Sequence, residues 1–154
     1  MINRDVIVER RVAARPETVF SFFSDGRRWL EWQGVEAEIE LKPGGTFRVN
    51  VIGDGFASGT FVEVVPNRRV VFTWGWERTG SPVPPGSSIV EIDLIEVTDG
   101  TLLRLTHKDL PESERDIHRR GWDNYTARLA AVGEGRQPGP DPMRVANGGR
   151  RKDF

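Results

Sequence analysis

From Val35 to about Lys108, apolar and polar residues alternate with a period of two. Val35, Ala37, Ile39 and Leu41 interleave with Glu36, Glu38, Glu40 and Lys42, the pattern of a half-buried strand. Pro43-Gly44-Gly45 reads as a turn. Phe47, Val49 and Val51 then alternate with Arg48 and Asn50, Gly53-Asp54-Gly55 turns again, and residues 56–65, FASGTFVEVV, form the next strand. Pro66-Asn67 leads into residues 70–77, VVFTWGWE. There Val70, Phe72, Trp74 and Trp76 occupy one face, and Gly75, on the opposite phase, reads as a bend that widens the space beside them. Residues 79–88, rich in Gly, Pro and Ser, are a loop before the strand SIVEIDLIEV. Asp99-Gly100 is a tight-hairpin signal ahead of TLLRLTHK. The run amounts to about six antiparallel strands joined by short links.

The period changes at both ends. Residues 5–12, DVIVERRV, are rich in β-branched side chains and predict a first strand. Pro16 suits the first turn of a helix, with Glu17 near its positive end and Val19, Phe20, Phe22 and Phe23 as an apolar stripe. Asp25 reads as the cap of a second short helix through GRRWLEW. Beyond Lys108, His118, Trp122, Tyr125, Leu129 and Val132 recur at helical spacing and share one face. Glu114, Arg115, Arg119 and Arg120 occupy the other, and Asp109 with Glu112 has capping-box spacing. Residues 133–154 lose apolar periodicity and are expected to be a disordered tail behind a single domain over 1–132. A sheet with one apolar face needs a cover. The long C-terminal helix is large enough to provide it, so an α+β fold is predicted, with about seven strands curled around that helix. Two short helices between strands one and two close one end.

Six stretches carry a likeness: A-x-P-E-x-V-F, W-L-E-W-x-G, P-G-G-x-F, G-x-x-V-E-V-V-P-N-R-R-V-V-F-T-W, D-G-T-L-L-x-L-T-H and R-G-W-D-N-Y. In this order, over roughly residues 5–132, the chain resembles the C-terminal domain of the heat-shock protein 90 ATPase activators. These belong to the START-like, Bet v 1-like helix-grip superfamily. The resemblance implies a curved sheet gripping a long helix, with a cavity between them. It also implies a chaperone as a possible partner. Co-chaperones of this kind join such a domain to a separate N-terminal one; this chain opens on the first strand, so the domain alone is expected.

Composition narrows the field. Lys and Arg number 22 against 23 Asp and Glu, so neither a nucleic-acid footprint nor a strongly anionic surface is implied. There are no cysteines, which excludes disulfides and thiol chemistry and suits a reducing cytoplasm. The N-terminal dozen residues carry scattered charges and no apolar block, unlike a secretory signal. No apolar run approaches the roughly 20 residues a membrane span requires.

Candidate chemistry centres on aromatic and imidazole side chains. Phe72, Trp74 and Trp76 face Trp122 and Tyr125 across the fold, as either packed core or the wall of a pocket. Trp32, Phe47, Val49, Phe56, Leu94 and Leu105 extend that wall in the same phase. Trp29 and Trp32 either anchor the short helices or form a lid. His107 points inward with Leu103 and Leu105, and His118 begins the helix stripe. Each is a hydrogen-bonded core group, a ligand contact or an acid–base group. Two histidines without a carboxylate on their face make a poor metal site, and no cofactor is expected. Asp93 reads as solvent-facing, whereas Ser58 and Thr60 offer hydroxyls inside or small side chains at a bend. Arg150, Arg151 and Lys152 are too few for a nucleic-acid site. No nucleophile elbow, P-loop or dinucleotide motif occurs. Three functions follow, in order: a binding module for a small hydrophobic or aromatic molecule, an interaction protein acting either as a chaperone-activator relative or through homodimerisation, and an enzyme using His107, His118 and Tyr125.

Overall fold

A computed structural model gives the fold and describes residues 4–145. The elements run β1 (Val6–Val12), α1 (Pro16–Phe20), a 3-10 turn (Ser21–Phe23), α2 (Gly26–Trp29), β2 (Glu36–Ile39), β3 (Thr46–Asn50), β4 (Phe56–Val65), β5 (Arg69–Trp74), β6 (Ser88–Val97), β7 (Gly100–Lys108) and α3 (Glu112–Gly133). The strands form one antiparallel sheet in the order β1-β7-β6-β5-β4-β3-β2. Strands β2 to β7 are a meander, and β1 joins last in space, with Val6 opposite His107 and Val12 opposite Thr101. The 22 residues of α3 cross the concave face, a length of about 33 Å. This is the α+β helix-grip arrangement the residue pattern predicts.

Curvature has a local cause in β4. Its residues 56–60 pair with β3 and 61–65 with β5, and the register shifts between Phe61 and Glu63. A Cβ on Gly59 would stand 2.0 Å from the Thr73 carbonyl oxygen, so the close approach at this switch requires glycine. The inward residues around the switch are Ala57 and Phe61, both buried; Thr60 and Val62 are exposed. Ser58 and Thr60 therefore do not place hydroxyls inside.

The short helices are fixed by their tryptophans. Trp29 packs on Phe47, Phe61 and Phe72 and donates Nε1–H to Gln33 Oε1 at 2.8 Å. Trp32 meets Phe23 edge-on and donates to the Phe22 carbonyl at 3.1 Å. Both are anchors rather than a lid. At the start of α3 the expected Asp109–Glu112 capping box is absent. Pro111 is the N-cap and makes no side-chain bond, and Asp109 sits in the left-handed region at φ 67°.

On the convex face, charges alternate across five strands. Glu9 meets Arg104 at 2.6 Å, and Asp93 meets Arg69 at 2.8 Å, in line with the solvent-facing reading of Asp93. Arg69 also reaches Glu63 at 3.0 Å and Glu91 at 3.6 Å, and Glu91 reaches Lys108 at 3.2 Å. Opposite charges in neighbouring strands are the favourable cross-strand arrangement.

The segment after α3 departs from the expected disorder. Asp141 accepts from Tyr125 Oη at 2.8 Å, Asn124 Nδ2 at 3.0 Å and its own neighbour Met143 N at 2.9 Å. Arg128 donates to the Gly139 carbonyl at 2.9 Å, and Val145 N donates to the Ile52 carbonyl at 2.7 Å. Met143 and Val145 pack against the core. One aspartate thus outweighs the Gly/Pro composition of 133–145. The basic cluster at 150–152 lies outside the described residues. Asp141→Ala is expected to lower stability by about 2 kcal/mol, since it removes three bonds to an acceptor carboxylate. It should also speed amide exchange over 136–145. Unchanged melting together with unchanged exchange would show that the aspartate does not pin the segment.

Candidate functional site

Where the first half of α3 covers the inward faces of β5, β6 and β7, three tryptophans and both histidines come together. Trp74 ends β5, and its ring lies 5.0 Å from Trp122 and 5.3 Å from Trp76, centroid to centroid. His107 ends the inward row of β7, and His118 stands one turn before Trp122 on α3. The two imidazoles meet edge-on at 5.3 Å.

Hydrogen bonds assign each imidazole proton. An indole N–H can only donate. Trp122 Nε1–H therefore makes His107 Nδ1 an acceptor, at 2.9 Å. His107 carries its proton on Nε2 and gives it to Ser88 Oγ at 2.8 Å; the serine in turn donates to the Trp74 carbonyl at 2.9 Å. His118 has the opposite tautomer. Its Nε2 accepts from Trp76 Nε1 at 3.1 Å, and Nδ1–H donates to the Glu114 carbonyl at 2.8 Å. Burial disfavours the charged ring in both cases. It pushes His107 well below the ordinary histidine range, with the neighbouring His118 adding to the effect, and pushes His118 down to about 4. Both rings are neutral at pH 7.

The space among these groups is almost filled. A void of about 10 Å³ remains between Trp74, Trp76, Trp122, Tyr125, His118, Gly121, Val51 and Gln33. Outside it lies a surface pocket of about 290 Å³ lined by Ile52, Asp54, Gly55, Phe56, Trp76, Glu77 and Arg78. Trp76 borders both, so its indole is a partition. Gly75 holds that partition shut rather than widening it. A Cβ there would stand 1.8 Å from the Pro84 carbonyl oxygen, and Trp76 N donates to the Val83 carbonyl at 2.6 Å. The loop at 79–88 is thereby pressed against the strand end, and Trp76 leaves β5 to bridge Ala57. At the mouth, Arg48 makes a two-point bond to Glu77 at 2.7 and 2.9 Å and stacks on Phe56 at 3.7 Å. The Arg48 bond is the main reason the Glu77 carboxyl lies below its usual range.

Of the residues expected to line a ligand cavity, Trp74, Trp76, His118, Trp122 and Tyr125 surround this void. His107 stands behind Trp74 and Trp122 as their support. Phe47 and Phe72 stack on one another at 4.4 Å and, with Trp32, Val49 and Leu105, are buried core away from the void. Phe56 belongs to the outer pocket under Arg48. Leu94 borders a separate groove of about 640 Å³ at the far end of β6, with Arg68, Asp93 and Pro16. The register of a strand tells which face a residue takes but not how far along the sheet the space opens. Gln33, Val51 and Gly121 were not anticipated. Val51 continues the phase of Phe47 and Val49, and Gly121 lies one turn beyond His118 on the inward stripe, so two of the three had a readable signal. Among the described residues, no group of three or more His, Asp or Glu side chains is arranged to hold a metal ion. Likewise, no helix among them is long and apolar enough to cross a membrane.

A curved antiparallel sheet gripping a C-terminal helix, with its residual space between the two, defines the START-like helix-grip class. Within that class the chain belongs to the Activator of Hsp90 ATPase homolog 1-like protein family, whose sequence profile matches residues 13–134. A solved AHSA1-like protein from Rhizobium etli is 50% identical; the alignment covers 96% of this chain and 89% of that one, with a TM-score of 0.71. CalU16 from Micromonospora echinospora is 31% identical over 90% of this chain and 79% of its own, with a TM-score of 0.71. The human Activator of 90 kDa heat shock protein ATPase homolog 1 is 25% identical over 111 residues, 71% of this chain. This chain spans only 31% of that protein's length.

Proposed function

We propose that this chain is a binding module for a small, largely apolar molecule held between the sheet and α3. The carrying observation is the aromatic-walled void that Trp76 alone among its lining residues shares with the outer pocket. Small-molecule sites are usually concave, apolar and furnished with a few polar groups, at roughly 300–1,000 Å³. Joined by displacement of Trp76, the two spaces reach the lower end of that range. The acid–base alternative has little support, because the polar atoms of His107, His118 and Tyr125 are engaged in the bonds given above. Melting the protein with naphthalene-sized apolar probes tests the binding reading. At a hundredfold excess over the dissociation constant, binding adds about 2.7 kcal/mol and raises the melting temperature by several degrees. Unchanged melting and unchanged tryptophan emission across naphthalene, indole and fatty-acid probes would remove it.

A second reading, action on a heat-shock protein 90 ATPase, is supported by family membership and by the human relative. Its test is direct: purified protein is added to such an ATPase at saturating concentration. Stimulation supports this role, and none ends it.

A further inference from the structure

We infer that the molecule taken by this site is an uncharged aromatic carbonyl compound, whose oxygen accepts a hydrogen bond from Trp74 Nε1–H. The inference rests on the binding reading above. The chain has five tryptophans. Trp29 donates to Gln33, Trp32 to the Phe22 carbonyl, Trp76 to His118 and Trp122 to His107. Trp74 Nε1, buried in a residue 2% exposed, has no acceptor among the described residues. Its ring also contacts those of Trp76, Trp122, His107 and His118. Leaving a buried donor unmet costs free energy, and of the three indoles that line the void Trp74 is the one whose donor stays unmet among the described residues, so it has a donor to offer. Bound water is a poor substitute. The void of about 10 Å³ is at the lower limit of the space that one water occupies.

The same accounting defines the ligand. Its polar atom must be an acceptor, because the indole only donates. A hydroxyl would bring a donor of its own, while His107 Nδ1 and His118 Nε2 are already taken by tryptophans. At Trp74 a carboxylate would be a buried charge, and the two imidazoles beside it, whose lone pairs are already taken by tryptophans, offer it no countercharge. The tilted and edge-on rings around Trp74 accept a flat aromatic body. A neutral ketone or aldehyde on an aromatic framework meets all of these conditions.

The experiment compares 2-acetylnaphthalene with 2-ethylnaphthalene, which has nearly the same shape and no acceptor. Dissociation constants are measured for the unaltered protein and for Trp74→Phe. The ketone should bind the unaltered protein about tenfold more tightly than the hydrocarbon, and the phenylalanine variant should bind the two equally. Independently of any variant, the Trp74 indole proton resonance should move downfield when the unaltered protein is saturated with ketone and stay in place with hydrocarbon. If both probes bind but neither the affinity ratio nor the resonance distinguishes them, the carbonyl inference falls and the binding reading stands. If neither probe binds, both fall.

Discussion

Replacing His107 with alanine will lower the unfolding free energy by about 3–5 kcal/mol, as a large fully buried ring gives way to a cavity and to unmatched polar groups. His107 is 0% exposed and stands between one donor, Trp122 Nε1–H, and one acceptor, Ser88 Oγ. Its Nδ1 receives the Trp122 indole proton and its Nε2–H reaches Ser88, which is tied to the backbone of Trp74. One side chain thereby links β5, β6, β7 and α3. For a domain whose whole stability is about 5–15 kcal/mol, such a loss leaves little margin. His107→Phe separates packing from hydrogen bonding. It restores most of the volume but leaves the Trp122 N–H unpaired, so about 1–3 kcal/mol of the loss should persist. Urea melts of the two variants check this. If both lie within half a kcal/mol of the unaltered protein, the linkage is not what holds these four elements together.

The second large effect is acid destabilisation that begins well above the carboxylate range. In the unfolded chain a histidine titrates near 6.5, whereas folded His118 is pushed down to about 4 by burial, and His107 moves in the same direction. The folded state therefore binds fewer protons than the unfolded state over this interval. Stability is complete above about pH 6.5 and declines as pH falls toward 4, where His118 itself takes a proton. That group alone is worth about 3 kcal/mol over the interval. Paired carboxylates such as Glu77 add their own loss only below their ordinary value of 4.5. Glu114, whose carboxyl is raised by burial, works in the opposite sense. Denaturation midpoints measured from pH 7.5 to 4.5 cover the histidine interval, against which Glu114 works. His118→Gln should flatten the profile; a profile flat in the unaltered protein would mean that the rings are not held neutral.

How much of this was legible from residues alone differs between fold and site. Strand alternation, hairpin signals and the His118–Trp122–Tyr125–Leu129 stripe depend on local periodicity, and they mark out the meander and its covering helix. The direction of Trp74, Trp76, His107 and His118 follows from the same phase. Other features depend on distances between segments far apart in the chain. Ser58 and Thr60 could be read as inward hydroxyls or as small side chains at a bend; Ala57 and Phe61 take the inward phase of β4, so Ser58 and Thr60 both point out. Phe47 and Leu105 point inward as expected, yet whether an inward residue meets a void depends on the volumes of all its neighbours. The Gly/Pro-rich stretch after α3 looked unable to order itself, and only the placement of Asp141 opposite Tyr125 and Asn124 shows otherwise.

The convex-face ladder bears on how anything finds this molecule. Its four carboxylates, Glu9, Glu63, Glu91 and Asp93, are set against three cations, Arg69, Arg104 and Lys108. Paired so closely, these charges largely cancel beyond a Debye length of about 8 Å at physiological salt. Seen by an approaching partner, that side of the sheet is electrically quiet: it neither steers an encounter nor penalises one. Long-range orientation of a collision must come from the other sides of the molecule.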